Sequence, residues 1–175
     1  MGNFFTNYGY VDVYQFLMSF SKKESWLLLG LDNAGKTSAL YTMHLEKPTE
    51  YTMPTIGFNI EHIKVGNMSV EAWDLGGQQA QRAQWDHYYE QATAIIYVID
   101  SLDRNRFDES SRELQALMNH RKLRDLPFLI LANKQDLPNS AKKNEIIEKF
   151  ELESKFWAKW HVVECCARKN QRLQI

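Results

Sequence analysis

The sequence predicts an α/β fold, a six-stranded, mostly parallel sheet with one antiparallel edge strand and helices on both faces. Two continuous apolar runs, Ala94–Asp100 and residues 128–133, are typical of central parallel strands, which are buried on both sides and lack polar alternation. A hairpin supplies the antiparallel edge, because Gly-Asn at residues 66–67 separates the strand-like runs Phe58–Val65 and 69–74. Between the two apolar runs, four residues fall at helical spacing: Phe107, Leu114, Leu117 and Met118.

The other elements can be read along the chain in order. After a polar connection at residues 21–25, the apolar run 26–30 predicts a strand that ends at a glycine. Residues 36–44 suit a helix. A mixed-charge stretch at 144–159 is expected to be helical, and residues 161–165 are the candidate last strand. Because strands alternate with helices after the hairpin, we expect a doubly wound sheet.

Length and composition indicate one domain. The 175 residues suffice for one buried core, and we divide the chain into an N-terminal helix at 1–21 and a domain at 22–175. The 21 basic and 22 acidic side chains nearly cancel, so no basic field indicates nucleic acid as a partner. The only cysteines, Cys165 and Cys166, are adjacent, which suits neither a disulfide nor a metal site and fits a reducing compartment. No apolar run reaches the ~20 residues that a membrane-spanning helix needs.

Residues 30–37 read GLDNAGKT, the spacing of a phosphate-binding loop, and they lie between a predicted strand and a predicted helix. Glycines let backbone N–H groups converge on phosphate oxygens, Lys36 adds positive charge, and the Thr37 hydroxyl can bind magnesium. The alternative is a chance glycine-rich turn, which the flanking elements disfavour. The predicted nucleotide-binding residues of this segment are Gly30, Asp32, Asn33, Ala34, Gly35, Lys36, Thr37 and Ser38.

The choice of base rests on Asn133, Lys134 and Asp136 in the stretch NKQD, which follows an apolar strand. A carboxylate there can accept two parallel hydrogen bonds from the N1–H and the exocyclic amine of guanine, whereas adenine presents the wrong pattern. The lysine stem can cover the base plane while its ammonium stays solvated. A polar strand-to-helix turn is the alternative, but the pairing with the phosphate loop favours a guanine nucleotide.

A third motif, WDLGGQ at residues 73–78, also ends a strand. Asp74 is placed to hold a magnesium-bound water, Gly77 can bring its N–H to a γ-phosphate, and Gln78 can orient an attacking water. The Thr55 hydroxyl in PTIGFN is a further candidate ligand of the same magnesium. A segment held only by the γ-phosphate and the metal is released on hydrolysis, which is how a switch works.

Together, GLDNAGKT, PTIGFN, WDLGGQ and NKQD, in this order and at these separations, resemble the Arf and Arf-like family of small GTPases. The likeness runs from about Trp26 to Ala167. It implies the small G domain of the P-loop NTPases, with GTP or GDP and Mg²⁺ as cofactors. It also implies a monomer that works with an exchange factor, a GTPase-activating protein and effectors. The resemblance further implies that the chain takes part in vesicle trafficking. It would then cycle between the cytoplasm and the cytosolic face of the Golgi or other endomembranes.

Some residues are assigned only through this resemblance. The effector surface of the family maps onto Phe58, Trp73 and Tyr88, for which ordinary core or hairpin packing is the alternative. The motif whose backbone supports the guanine oxygen maps onto Cys166 and Ala167, and the arginine after them replaces a smaller residue. The family's long closing helix has no counterpart in the final residues, ARKNQRLQI.

The first residues indicate a membrane anchor. MGNFFT fits the pattern for myristoylation of Gly2, and four apolar residues behind it fall on one helical face: Val13, Phe16, Leu17 and Phe20. One myristoyl chain binds membranes only marginally, so this apolar face is the expected second contribution. A helix packed permanently on the domain is the alternative. The resemblance implies both in turn, with the helix packed in the GDP form and released to the membrane in the GTP form.

Three functional hypotheses follow from these motifs. The first is a hydrolysing GTPase switch that turns over slowly unaided, because only Gln78 is available to position water and no arginine stands out as an internal finger. Asp32 and Asn33 are expected nearest the γ-phosphate, where an acidic side chain would crowd water and an incoming arginine. The second is a guanine-nucleotide-dependent scaffold that does not hydrolyse. The third is a P-loop kinase or ATPase, which leaves NKQD unexplained.

Overall fold

A computed structural model describes residues 23–45, 53–65 and 68–169. The expected N-terminal helix, Gly2, the hairpin turn at 66–67 and the last six residues, 170–175, lie outside these ranges. None of the helices that are described is long and apolar enough to cross a membrane.

The described residues form a sheet of six strands, β1 (Lys23–Leu29), β2 (Phe58–Val65), β3 (Met68–Leu75), β4 (Ala94–Asp100), β5 (Pro127–Asn133) and β6 (Lys159–Glu164). Their order across the sheet is β2-β3-β1-β4-β5-β6. Among the strands that are described, only β2 and β3 pair in antiparallel fashion, and the other neighbours are parallel. The predicted six-stranded, mostly parallel sheet with an antiparallel edge strand is therefore confirmed.

Helices cover both faces of the sheet. They are α1 (Lys36–Leu45), α2 (Gln79–Arg82), α3 (Phe107–Asn119) and α4 (Lys143–Lys149). The core on one face contains Leu114 of α3 and Ile146 of α4, whereas the core on the other face contains Leu40 of α1. Short 3-10 turns complete the described chain at Trp85–Gln91, Arg104–Arg106, Leu152–Ser154 and Ala167–Lys169.

Two expectations about secondary structure were wrong. The polar residues 23–25 belong to β1, where Lys23 to Ser25 align with β3, and the Thr93 hydroxyl donates a hydrogen bond to the buried Glu24 carboxylate. The helix expected over 144–159 ends at Lys149, because Glu151 adopts a left-handed φ of 51°. A left-handed residue cannot continue a right-handed helix.

Strands β1, β3, β4, β5 and β6 run in one direction. Their carboxyl ends therefore meet at one edge of the sheet, where open α/β sheets bind their ligands. The loops that follow β1, β3 and β5 contain GLDNAG, GGQ and KQD, respectively, and the Lys-Thr that completes the first motif begins α1. The topology alone brings these distant motifs together.

Candidate functional site: a nucleotide cleft

A cleft of about 540 Å³ lies at the carboxyl edge of the sheet. It brings together most of the predicted site residues, namely Asp32, Asn33, Gly35, Lys36, Thr37, Ser38, Thr55, Gly77, Gln78, Asn133, Lys134, Asp136, Cys166 and Ala167. The remaining residues that were predicted to bind the nucleotide or the metal are Gly30, Ala34 and Asp74. They are buried and form hydrogen bonds with residues of this lining. The four sequence motifs thus form one site.

The phosphate loop depends on glycines where the backbone turns into unusual conformations. Gly35 has a φ of 94°, and a Cβ on it would lie 2.3 Å from Nδ2 of Asn133. Asn33 has a φ of 60°, in the left-handed region that asparagine tolerates better than most residues. The Gly35 carbonyl then accepts the N–H of Ala39 at 2.9 Å, which begins α1 directly after the loop. The loop therefore ends at a helix N-terminus, a favourable place for a phosphate.

The buried Lys36 side chain reaches back to the start of the phosphate loop. Its ammonium donates to the carbonyls of Gly30 at 3.1 Å and Leu31 at 2.9 Å, and the side chain is 6% exposed. Burial lowers the pKa of Lys36 to about 8, although the negative charges of Asp74 and Asp32 oppose this shift. A phosphate beside this ammonium would favour its charged form.

Raising the pH above about 8 is expected to weaken GDP binding, because Lys36 of the free protein loses its proton there. Phosphate oxygens favour the charged lysine, so binding above this pH takes up a proton, and the dissociation constant rises by up to about tenfold per pH unit. Titrations of GDP from about pH 7 to about pH 10 at fixed Mg²⁺ measure the effect. Lys36→Met is the control, because it lacks the titrating group; equal pH slopes for both proteins would contradict the assignment.

Thr37, Thr55 and Asp74 converge behind the phosphate loop. The Thr37 hydroxyl donates to Oδ2 of Asp74 at 2.5 Å, the Thr55 hydroxyl donates to the same oxygen at 3.1 Å, and the two hydroxyls are 2.9 Å apart. Asp74 is fully buried, and none of the described residues donates to its Oδ1. Burial raises the pKa of Asp74, opposed by the Thr37 hydrogen bond and the charge of Lys36.

These three side chains fit a magnesium site. Their oxygens are the hard donors that Mg²⁺ prefers, and the unpaired buried Oδ1 suits a hydrogen bond from a metal-bound water. Thr37 and Thr55 would hold the ion and Asp74 would hold its water. The bound ion would neutralise negative charge on the terminal phosphates.

Gly77 and Gln78 line the cleft beside the phosphate-loop residues Asp32 and Lys36. A Cβ on Gly77 would lie 2.4 Å from Nζ of Lys36 and 2.6 Å from the backbone nitrogen of Asp32, so only glycine allows this approach. The Gly77 carbonyl accepts the N–H of Asp32 at 3.2 Å. Gln78 follows directly, at the N-cap of α2, with an exposed side chain that lines the cleft.

The buried Asn133 side chain, at the end of β5, bonds to two other segments of the site. Its Nδ2 donates to the Ala34 carbonyl at 2.9 Å, and its Oδ1 accepts the N–H of Ala167 at 3.0 Å. The Thr42 hydroxyl of α1 donates to the carbonyl of the same Ala167 at 2.8 Å. Asn133 thus couples the phosphate loop to the segment predicted to support the guanine oxygen.

Lys134 and Asp136, which were predicted to contact the base, line the same cleft. Lys134 has a φ of 66°, and its ammonium forms an ion pair with Asp100 at 2.6 Å. Asp136 lies 3.5 Å from the ammonium of Lys169. A hydrogen bond from the Cys166 thiol is the largest influence that lowers the pKa of Asp136, and the charge of Lys169 adds to it. The Asp136 carboxylate is therefore ionised at neutral pH and can accept the two donors of guanine.

Comparison with known proteins decides the family. The model of the ADP-ribosylation factor (Arf) family matches residues 10–175. The chain belongs to the Arf family. It is 43% identical over 165 residues to ADP-ribosylation factor-like protein 3 of Caenorhabditis elegans, covering 93% of this chain and 89% of the relative. It also resembles the Arl6 BBS3 small GTPase from Trypanosoma brucei, solved with the nucleotide analogue GppNp. That match has a TM-score of 0.79 and 28% identity and covers 86% of this chain and 91% of the other.

Membership of the Arf family confirms several expectations. The chain is a small GTPase that hydrolyses GTP to GDP and binds these nucleotides with Mg²⁺. Members of the Arf family interact with exchange factors, GTPase-activating proteins and effectors. The kinase or ATPase hypothesis is therefore wrong.

Arg106 contacts the phosphate loop of this chain, although it belongs to none of the four sequence motifs. Its guanidinium donates from Nη1 to the Asp32 carboxylate at 2.9 Å, from Nη2 to the Asp32 carbonyl at 3.2 Å, and from Nε to Asp103 at 2.6 Å. The Asp32 carboxylate is therefore paired with a positive charge. The acidic side chain that was expected to crowd water and an incoming arginine is thus held by Arg106.

Arg82 of α2 is also already paired. Its side chain is 7% exposed and forms ion pairs with Glu109 at 2.5 Å and Glu113 at 2.6 Å, both on α3. These pairs anchor the segment after Gln78 to the domain. They also engage both terminal nitrogens of this guanidinium.

Three aromatic residues of the Arf chain form a cluster beside the site. The ring centroids of Phe58, Trp73 and Tyr88 lie 5.5 to 5.6 Å from one another in all three pairs. Phe58 is 49% exposed, whereas Trp73 and Tyr88 are partly buried against the core. The structure thus brings together the three rings that the resemblance assigned to an effector surface.

Proposed function

We propose that this chain is a GTP-dependent switch that hydrolyses GTP slowly unaided and recruits effectors to a membrane in its GTP form. The observation that supports it most is the link from Thr55 to Thr37 and Asp74. Thr55 lies in residues 53–57, which form no helix or strand, and its hydroxyl connects them to the phosphate loop and β3. A metal and a γ-phosphate at this point would govern the position of that segment.

Slow unaided hydrolysis follows from the side chains near the phosphates. Gln78 is exposed to the cleft and can orient a water molecule. Arg82 and Arg106 are engaged with carboxylates and supply no arginine finger. The stabilising positive charge then comes from an activating protein, as in GTPases that receive an arginine in trans.

Gln78→Leu is expected to lower the single-turnover rate of GTP hydrolysis by at least about tenfold, because a correctly placed water is lost. The measurement is phosphate release from preloaded protein, with and without an activating protein. Gln79→Leu is the matched control, since Gln79 is the neighbouring exposed glutamine and is expected to keep the parental rate. Equal rates for Gln78→Leu and the parent would remove Gln78 from the mechanism. A parent that hydrolyses nothing under either condition would favour the non-hydrolysing scaffold.

The effector surface is proposed to be centred on Phe58, Trp73 and Tyr88. Their rings lie on β2, on β3 and in the 3-10 turn after α2, so they connect the hairpin to the segment that contains Gln78. Nucleotide-dependent movement of either segment would rearrange the cluster. This arrangement suits a surface that partners read only in one nucleotide state.

Membrane recruitment is proposed to use myristoylated Gly2 and the amphipathic helix in residues 1–21. The Golgi or another endomembrane is the proposed location, with the cytoplasm as the site of the GDP form. The support is the sequence pattern together with membership of the Arf family. Co-sedimentation of the myristoylated chain with liposomes, greater with GTP than with GDP, is the expected result.

A further inference from the structure

An exposed aromatic pair lies far from the nucleotide cleft. Phe156 is 88% exposed and Trp157 is 50% exposed, and their rings meet edge to face with centroids 5.4 Å apart. The ammonium of Lys155 lies 5.1 Å from the centre of the Trp157 ring. Removing two large apolar rings from water is favourable, so an exposed pair of this kind indicates a surface that another molecule covers.

A hydrogen-bonded turn presents this pair outwards. The N–H of Lys155 donates to the Leu152 carbonyl at 2.9 Å, and the N–H of Ala158 donates to the Lys155 carbonyl at 3.0 Å. Leu152 is fully buried and Ala158 packs against the core, so both ends of the turn are anchored. The exposure of the rings is therefore built into the local fold.

The turn lies at the edge of the sheet opposite the nucleotide cleft, because it immediately precedes β6. Strand β1 begins at the same edge with Lys23, where residues 1–22 join the domain. Strands β1 and β6 are separated by β4 and β5, and three spacings of about 4.8 Å put roughly 14 Å between them. A membrane held at this edge by the N-terminal segment would lie within reach of the pair and would leave the nucleotide cleft open to partners.

We infer that Phe156 and Trp157 insert into the headgroup region of the membrane as a second contact beside the N-terminal anchor. Trp, with an apolar ring and a polar N–H, is suited to this interface, and Lys155 keeps its ammonium in water beside it. Within the turn itself, Glu151 and Glu153 balance Lys155 and Lys159, so residues 151–159 carry no net basic charge. The contact should therefore form on neutral lipid and respond weakly to salt. This inference rests on the proposed recruitment to membranes.

Fluorescence quenching by bromine in lipid chains tests the contact directly. The full chain, loaded with GTP, is mixed with phosphatidylcholine vesicles that carry brominated acyl chains. Trp157→Phe removes one of the five tryptophans, so the difference in quenching between it and the parent reports Trp157 alone. Greater quenching of the parent is expected. Equal quenching in the two proteins on membrane-bound samples overturns the inference.

A tethered sample separates this inference from the proposed lipid anchor. One arm uses myristoylated protein, and the other uses unmyristoylated protein with an N-terminal histidine tag on chelating lipid. Trp157 quenching in the tethered arm, without vesicle binding in the myristoylated arm, supports the aromatic contact and contradicts anchoring through Gly2. Vesicle binding in the myristoylated arm without Trp157 quenching in either arm supports the anchor and overturns the aromatic contact.

Vesicle affinity provides the second measurement. The double variant Phe156→Ser, Trp157→Ser is expected to bind neutral vesicles about tenfold more weakly than the myristoylated parent, because two apolar rings no longer leave water. Leu102→Ser is the matched control, because Leu102 is 42% exposed and follows β4 at the opposite edge. Unchanged affinity of the double variant overturns the inference. So does concentration-dependent dimerisation that the double variant abolishes, since a second copy would then cover the pair.

Discussion

Asp136→Asn will lower the affinity for GDP by at least about a hundredfold and turn base preference towards xanthine. The Asp136 carboxylate is kept ionised by the Cys166 thiol and by Lys169, so it can accept both the N1–H and the amine of guanine. Hydrogen bonds to a charged group contribute about 1.5–3 kcal/mol each, and two of them account for a hundredfold or more. Asparagine replaces one acceptor with a donor that opposes the guanine amine. Xanthine has an oxygen in place of that amine and accepts the new donor.

Competition between GDP and xanthosine diphosphate for a fluorescent nucleotide measures this change. Lys169→Gln is the control, because it removes the positive charge beside Asp136 and keeps the carboxylate. Its GDP affinity should stay within a few-fold of the parent, since Lys169 is mostly exposed and water screens its charge. An Asp136→Asn protein that still binds GDP as tightly as the parent would place the base elsewhere in the cleft.

The parts of this site that are local in sequence could be predicted from it. Continuous apolar runs gave β4 and β5 almost to the residue, since strands buried on both faces have no reason to alternate. Loops that follow parallel strands must meet at one edge, so placing GLDNAGKT, WDLGGQ and NKQD together required only the strand order. Thr37 and Asp74 meet for the same reason. Thr55 joins them because it precedes the antiparallel strand β2, whose amino end lies beside the carboxyl end of β3.

The missed features depend on contacts between distant residues. Arg106 reaches Asp32 across 74 positions and looks like a solvated surface charge in the sequence. The Lys134 ammonium was expected to stay solvated, but it reaches Asp100 across 34 positions. The early end of α4 is a different case. It depends on the left-handed φ of Glu151, and glutamate carries no turn signal comparable to glycine or asparagine. Mixed charge at 144–159 therefore looked helical throughout.

Gly30→Ala is expected to lower the free energy of unfolding by about 3–5 kcal/mol, a large part of the about 5–15 kcal/mol typical of a native domain. Gly30 has a φ of 140°, a conformation that residues with a Cβ rarely adopt. A Cβ there would also lie 2.3 Å from the Val98 carbonyl oxygen, which belongs to the central strand β4 and has no room to move. Backbone strain and a backbone clash therefore add at one position.

Gly57→Ala separates these two causes. Gly57 has a φ of 84°, but nothing lies within 4 Å of the added Cβ, so only the strain of about 1–2 kcal/mol remains. Urea unfolding of both variants at fixed GDP and Mg²⁺ gives the difference, after the contribution of each measured GDP dissociation constant is subtracted. The Gly30 variant should lose about 2 kcal/mol more than the Gly57 variant. Equal losses would mean that the β1 end and β4 can separate at no cost, contrary to the close packing of the phosphate loop against Val98.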